Sequence, residues 1–367
     1  MPLTFGRDIS PLGQPLRQPS SESPHILVIG GGVVGFGRSW VLLDRGYRVT
    51  VHIWDAIASI PSLSQESGVR MMPSDFFFPE KIENDPMQYS KMAEIMASGV
   101  RGFYRGSDII EDRSVDPAYG AVDAYELMAP IIDTDKAMRW LTALVQSKGA
   151  SFVTEAIEND LLDVEDDLRA RFEADVIVNC AGLQSLSLAG DKTVYPIRGG
   201  LIRVINDGKT FPKVNAALTI TADAAGSSNE IVFLVPRNDN ILLIGGIAEP
   251  NKWDLDLTLE SPIIQRMRER CNSFLPGLKD ARLDSDYPLA QGLRPFRGTN
   301  VRVERELRRS GSKIVHSYGH GGAGWSLSFG CAQDVATLVD ETLAGVPARR
   351  MGGRPSRRGR VEITASL

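Results

Sequence analysis

Residues 25–55 constrain the fold more than any other stretch. The apolar run His25-Ile-Leu-Val-Ile enters Gly30-Gly31-Gly32-Val33-Val34-Gly35, a helix-like segment follows, and Arg48-Val-Thr-Val-His-Ile-Trp-Asp55 reads as a second strand. Strand, Gly-x-Gly-x-x-Gly turn, helix, strand and an acid about 20 residues beyond the last glycine form a dinucleotide-binding unit. Gly30 allows the tight turn, Gly32 lets backbone approach a pyrophosphate, and Gly35 lets the helix pack closely on the strand. Val33 and Val34 open that helix, whose first N–H groups and positive dipole end suit phosphates. Asp55 is placed to accept hydrogen bonds from an adenosine ribose.

The chain has 367 residues, long enough for a large core and two domains. A net charge of −5 argues against a nucleic-acid partner, which usually requires a dominant basic face. Cys180, Cys271 and Cys331 are too widely spaced for a disulfide framework or a zinc site, so no metal is expected. No apolar run reaches the ~18 residues of a membrane span. The first 24 residues, rich in Pro, Ser and Gln, lack the apolar stretch of a signal peptide. These features point to a reducing, intracellular setting.

Residues 1–24 read as a disordered lead. Ala56 to Met72 is polar and punctuated, and a bulky cluster follows from Met71 to Pro79. Apolar spacing predicts helices over Met87–Gly102 and Asp133–Val145, the latter with Asp133 or Thr134 as N-cap. Asp175 to Gly182 reads as a buried strand ending on a glycine beside a dinucleotide. Leu201–Ile205, Glu230–Val235 and Asn240–Gly245 read as strands. Turn signals at Asn206-Asp207-Gly208 and Arg237-Asn238-Asp239 suggest antiparallel hairpins. Asp256–Phe274 looks helical. Lys313–Tyr318 returns as a strand into Gly319-His320-Gly321-Gly322-Ala323-Gly324, then a helix ends near Leu343. This second glycine cluster is a packing turn if taken alone; paired with the first it reads as a second cofactor contact. The Arg-rich tail, 345–367, reads as disordered.

Together these landmarks resemble the D-amino acid oxidase family of FAD enzymes, from about Pro24 to Leu343. The resemblance is carried by Val28–Gly35, Val178–Gly182, Tyr195–Gly199, Val235-Pro236, Gly245-Gly246, Trp253-Asp254, Gly292-Leu-Arg-Pro-Phe-Arg297 and Tyr318–Gly322. It implies FAD as cofactor, not free NAD. It also implies an α/β fold: a Rossmann-like FAD-binding domain with an interleaved substrate domain built on an antiparallel or mixed sheet. The FAD-binding domain is expected over 25–80, 133–195 and 288–344, and the substrate domain over 81–132 and 196–287.

In such enzymes a D-amino acid presents its Cα–H to the flavin, hydride moves without a side-chain base, and positioning carries much of the catalysis. Molecular oxygen is the acceptor. The imine hydrolyses to a 2-oxo acid and ammonia, and hydrogen peroxide is released. By resemblance Arg294 forks onto the substrate carboxylate, with Pro295 stiffening the loop that holds it. Gly322 offers its carbonyl to the substrate amine, and Gly182, Gly321, Gly322, Gly324, Trp325 and Ser326 join the cofactor contacts. For Ser326 a hydroxyl near the flavin and a plain surface cap are equally open. His320 is favoured as a structural histidine over a base, Cys331 as packing over a covalent flavin link, and Arg297 as structural.

Two departures from the family pattern stand out. Phe233 replaces a tyrosine that touches the substrate carboxylate, and Ala248 stands where some relatives carry tyrosine or arginine. Both are substrate-binding positions by resemblance, and their loss of polar groups favours a bulkier or differently substituted amine and disfavours D-aspartate. Phe76-Phe77-Phe78 is either pocket lining or, more commonly, plain core. The leading expectation is therefore an FAD-dependent oxidase of a D-amino acid or related amino acid. The alternatives are a flavin oxidase of a secondary or cyclic amine and a nucleotide-binding regulator without turnover. The terminal Ala365-Ser366-Leu367 is a poor peroxisomal signal, which leaves cytoplasm as the default. The oligomeric state stays open, a homodimer included.

Overall fold

A computed structural model describes residues 23–44, 57–58, 61–220 and 231–349. In chain order its elements are β1 (Ile26–Ile29), α1 (Val33–Asp44), α2 (Pro61–Ser67), β2 (Val69–Phe78), α3 (Pro86–Ala97), β3 (Tyr104–Arg105), α4 (Asp108–Asp112), β4 (Asp123–Ile132) and α5 (Thr134–Ser147). There follow α6 (Leu161–Arg171), β5 (Val176–Asn179), α7 (Ser185–Leu188), β6 (Val194–Ile205), β7 (Ala217–Ile220), β8 (Val232–Pro236), β9 (Ile241–Gly245) and β10 (Glu249–Pro250). The last are α8 (Pro262–Phe274), β11 (Leu289–Arg297), β12 (Arg302–Arg305), β13 (Ile314–Tyr318) and α9 (Gly324–Leu343). The chain divides into two compact units, one of Met1–Ala56, Asp135–Pro196 and Arg294–Leu367, the other of Ile57–Thr134 and Ile197–Leu293.

The first unit holds a four-stranded sheet in the order β1-β5-β13-β12. β1, β5 and β13 are parallel, with Val28 and Val315 both in register with Val178, and β12 closes the sheet antiparallel. A parallel sheet needs both faces covered. On one face Val176, Val178 and Val315 meet Val335, Leu338 and Val339 of α9. On the other, Ile177 and Ile314 pack on Leu161 and Leu168 of α6. The period-2 strands and the 3.6-period helix thus bury the residues that their spacing selects. Trp40 of α1 is buried edge-on between Trp140 of α5 and Phe329 of α9, at centroid distances of 5.7 and 5.5 Å. Such aromatic pairs add about 0.5–1.5 kcal/mol beyond area burial.

The second unit is built on a nine-stranded mixed sheet, ordered β10-β6-β9-β8-β7-β2-β4-β3, with β11 also pairing β6. β2 and β7 run parallel, whereas β10–β6, β6–β9, β9–β8, β8–β7, β2–β4 and β4–β3 are antiparallel. Its core joins Phe77, Ile202, Leu234 and Ile244 to Ile264, Met267, Cys271 and Phe274, which recur at helical spacing on α8.

Several expectations need adjusting. The bulky cluster from Met71 to Pro79, given no element from the sequence, supplies most of β2, preceded by α2. β2 tolerates Pro73 because β7 pairs only Ser74–Phe77, leaving Pro73 opposite Met128 of β4 alone. Because β2 pairs β4 and β7, residues 57–80 lie in the second unit, whereas 25–80 was expected as one nucleotide-binding segment. Phe77 and Phe78 are plain core, packed on Phe274 and Tyr125 at 5.4 Å each. No hairpin forms across Asn206-Asp207-Gly208: β6 pairs β9, with Ile202 opposite Ile244, and the following β7 pairs β8 and β2. The turn at Arg237–Asp239 does make a hairpin, since β8 pairs β9 and Asn238 Oδ1 accepts from Asn240 and Ile241 N–H at 3.0 Å. The helix expected over Asp256–Phe274 starts only at Pro262, which fits its first turn. Helix α3 starts as its sequence demands, Asp85 accepting from the N–H of Met87 at 2.9 Å and of Gln88 at 3.1 Å. Residues 1–22 and 350–367, most of the expected disordered lead and tail, lie outside the described residues.

Candidate active site

The glycine turn leaves β1 and opens α1 with Gly30, Gly31 and Gly32 all exposed. Gly30 has φ +115°, a left-handed conformation that side chains resist. A Cβ there would also lie 2.5 Å from the carbonyl oxygen of Cys180, where the end of β5 packs on the turn. At Gly35 the helix comes close to the ends of β1 and β5: a Cβ there would lie 1.9 Å from the carbonyl oxygen of Gly30 and 3.8 Å from Cys180 Cβ. At Gly32 a Cβ would meet nothing within 4 Å. Phe36 N–H donates to the Gly32 carbonyl at 3.0 Å, so the N–H groups before it belong to the helix end that lacks intrahelical acceptors. The first turn of α1 carries no acid. An open, glycine-lined helix N-terminus of this kind fits a diphosphate. Asp55, the expected ribose partner, lies outside the described residues.

The second glycine cluster converges on the same place. Gly321–Ala323 form a 3₁₀ turn that leads straight into α9. A Cβ on Gly324 would lie 3.5 Å from Val33 Cγ1 and 3.9 Å from Val34 Cγ2, so the two helix N-termini meet. The first turn of α9 also lacks an acid. Gly322 and Ser326 are exposed there, and Trp325 is half-buried.

The residues that follow Arg294 pack against glycines of the turns after β5 and β13. Arg294 and Pro295 lie not on a loop but in β11, where a proline is accommodated because among the described strands β11 pairs only β6. Gly182, at φ +57°, approaches Pro295, whose Cβ lies 3.5 Å from the place a side chain would take. Gly321, at φ +54°, sits against the Phe296 ring at 2.8 Å by the same measure, and Gly319, at φ +82°, against Arg297 Cβ at 2.9 Å. The three residues after Arg294 are therefore each held by a left-handed glycine. Arg294 itself is half-buried, and burial pulls its guanidinium below the ordinary value.

Arg297 is structural: Nε donates to Asp191 Oδ2 at 2.7 Å, and Nη1 donates to Thr299 Oγ1 at 2.8 Å and the Asn300 carbonyl at 2.9 Å. Burial opposes ionisation of Asp191, but donors from Thr193, Arg297 and Tyr318 outweigh it and hold this carboxyl well below the usual range. A carboxyl depressed in the folded state stabilises fully above its unfolded pKa, ~3.9, and the contribution is lost as pH falls through its folded value. Asp191→Asn is expected to cost about 2–3 kcal/mol at pH 7, toward the lower end for a buried pair because Arg297 keeps some solvent contact. Urea denaturation of both proteins checks this, and the gap should shrink below pH ~4. An unchanged gap at low pH would sink the account.

His320 is buried and hydrogen-bonded, its Nε2 lying 3.1 Å from Arg38 Nη2. Burial, with Arg38 adding to it, pushes its pKa down to about 3, so the imidazole is neutral and Nε2 is the acceptor. Cys331 is partly buried, and burial raises its thiol pKa, which disfavours a reactive thiolate. Sequence reasoning missed Arg38. Its signal is position: three residues past Gly35, on the face of α1 that the glycine turns inward.

In the second unit Phe233 lies half-buried in β8, opposite Gly245 of β9 and Thr219 of β7. Ala248 is buried at 4% exposure. Arg198 of the Tyr195–Gly199 stretch is a buried structural group, donating to Glu249 Oε2 at 2.8 Å and to the Asp254 carbonyl at 2.7 Å.

Residues 92–338 match the DAO family, described as FAD dependent oxidoreductase. The chain belongs to this family. FAD is accordingly its cofactor, and the two converging helix ends are suited to hold it. Among the relatives of this family member, the D-amino-acid oxidase of Streptomyces coelicolor is 30% identical over 340 residues, covering 86% of this chain and 96% of that protein. The D-amino-acid oxidase of Dictyostelium discoideum is 27% identical over 349 residues, covering 87% and 92%. Among solved structures, glycine oxidase from Geobacillus kaustophilus aligns with a TM-score of 0.62 at 15% identity, over 86% of this chain and 94% of that one. L-proline dehydrogenase from P. horikoshii aligns at 0.61 and 14%, over 89% and 95%. At those identities the structures speak for the α/β fold with its mixed sheet. Among the described residues no helix is long and apolar enough to cross a membrane, and no cluster of His, Cys, Asp or Glu is arranged to hold a metal ion.

Proposed function

We propose that the protein oxidises a D-amino acid or a related amino acid at Cα, with O2 as the final acceptor. The observation that carries this reading is Arg294, in the Gly-Leu-Arg-Pro stretch, followed by three residues that are each packed against a left-handed glycine. An arginine whose strand is held this firmly is suited to orient a carboxylate through two parallel hydrogen bonds. Its partial burial reduces water screening of that contact. The Gly322 carbonyl is proposed to accept from the substrate amine. Bound FAD supplies the hydride acceptor, which O2 regenerates with release of hydrogen peroxide. The imine product hydrolyses in water to a 2-oxo acid and ammonia. His320 is neutral and engaged with Arg38, so it is not assigned as the base, in keeping with a reaction that needs none.

A second reading, oxidation of a secondary or cyclic amine, is favoured by one feature. By resemblance Phe233 stands where relatives carry a tyrosine that touches the substrate carboxylate, and a ring with no hydroxyl there would weaken the hold on a simple zwitterion. The test is anaerobic absorbance in the flavin band with D-amino acids, their L-forms and small amines. Bleaching by D-forms is expected. Bleaching by amines alone would replace the first reading with the second, and a flavin-loaded protein bleached by neither class would overturn both.

A further inference from the structure

Arg38 is fully buried, and among the described residues none of its hydrogen bonds is to a carboxylate. Nε and Nη2 donate to Ser317 Oγ at 3.0 and 2.7 Å, Nη1 donates to the Ser328 carbonyl at 2.7 Å, and Nη2 donates to His320 Nε2 at 3.1 Å. The Cys331 thiol also stands beside it. Burial dominates its environment and lowers its pKa. The attractions opposing this come from Cys180, Cys331 and, most weakly, Asp334, which is exposed on α9. The two thiols do not compensate the charge, because burial raises both of their pKa values, that of Cys180 to about 11. His320 is neutral. The guanidinium is thus a cation in a dry site whose hydrogen bonds are satisfied but whose charge meets no ionised acid in contact among the described residues.

Its place indicates what supplies the missing charge. Side chains on a helix point back toward the N-terminus, so Arg38 reaches toward the start of α1. There it bonds His320, the residue just before the turn that opens α9. The positive ends of both helices already meet at this point, and neither first turn holds an acid. We propose that Arg38 is a positioning residue whose buried charge is balanced by the diphosphate of bound FAD. The proposal rests on the family's cofactor and not on the substrate reading.

The test uses the full chain freed of flavin, and measures dissociation constants for FAD and for ADP together with the melting temperature of the apoprotein. Arg38→Met keeps the bulk and removes the charge. It is expected to weaken FAD and ADP alike by about 10- to 100-fold, with an apoprotein that melts no lower than wild type. Arg38→Lys keeps the charge and breaks the fork, and should hold FAD within about 3-fold of wild type. Wild-type affinity in Arg38→Met overturns the proposal. So does an equal loss in both variants with lowered melting, which marks a packing role, and so does a loss for FAD with ADP unchanged, which moves the charge's target to the ring. Should Arg38→Met not fold, Arg38→Lys decides alone: retained affinity supports the proposal and lost affinity overturns it.

Discussion

Arg294→Ala is expected to lower kcat/KM for a D-amino acid by about 10³-fold, the ~4 kcal/mol that a partly desolvated, charge-paired anchor contributes. FAD content and melting temperature should stay close to wild type, because Arg294 lies on β11 and not on the glycine cradle. Arg294→Lys should recover only part of the loss, since an ammonium cannot fork onto two carboxylate oxygens. The measurement is the anaerobic rate of flavin bleaching against substrate concentration, with an amine lacking a carboxylate as control. That control should be little affected by either substitution. Equal losses for the amine and the amino acid would remove Arg294 from carboxylate recognition.

Gly35→Ala should be the most damaging single methyl in the cofactor cradle. The added Cβ would fall 1.9 Å from the Gly30 carbonyl oxygen, and the obstacle is backbone, not a flexible side chain. Gly30 has no room to yield, because its own position is 2.5 Å, by the same measure, from the carbonyl of Cys180. A cost of about 3 kcal/mol or more and loss of bound FAD are expected. Gly32→Ala is the informative contrast. Its Cβ meets nothing within 4 Å, so the apoprotein should melt as wild type does while FAD affinity falls. Calorimetry of the two apoproteins beside FAD titrations separates the effects. A Gly35→Ala protein that melts as wild type would show that the turn is looser than its packing indicates.

The parts of this fold legible in the sequence are those whose signal is local. β1, the glycine turn and α1 were readable because strand period, glycine and helix start lie within about 20 residues of each other. The same holds for α5, β5, β13 and α9, whose apolar residues fall on the buried faces that their spacing selects. β2 carries no clear local signal: Pro73 interrupts its apolar run, and pairing with β4 over ten residues and with β7 over four makes it a strand. The hairpin across Asn206–Gly208 was misread for a related reason, since turn chemistry at a strand end does not say which strand comes next.

For the candidate site the division is sharper. The sequence by itself marked the glycine turns, and the resemblance to the family marked Arg294, because both are written in short contiguous stretches. Only the tertiary structure decided that Pro295, Phe296 and Arg297 pack against Gly182, Gly321 and Gly319, and that Arg38 of the first helix reaches Ser317, His320 and Ser328. The Arg38 contacts join residues about 280 positions apart. Local propensity and periodicity carry no information over such separations; the pairing of buried surfaces sets them.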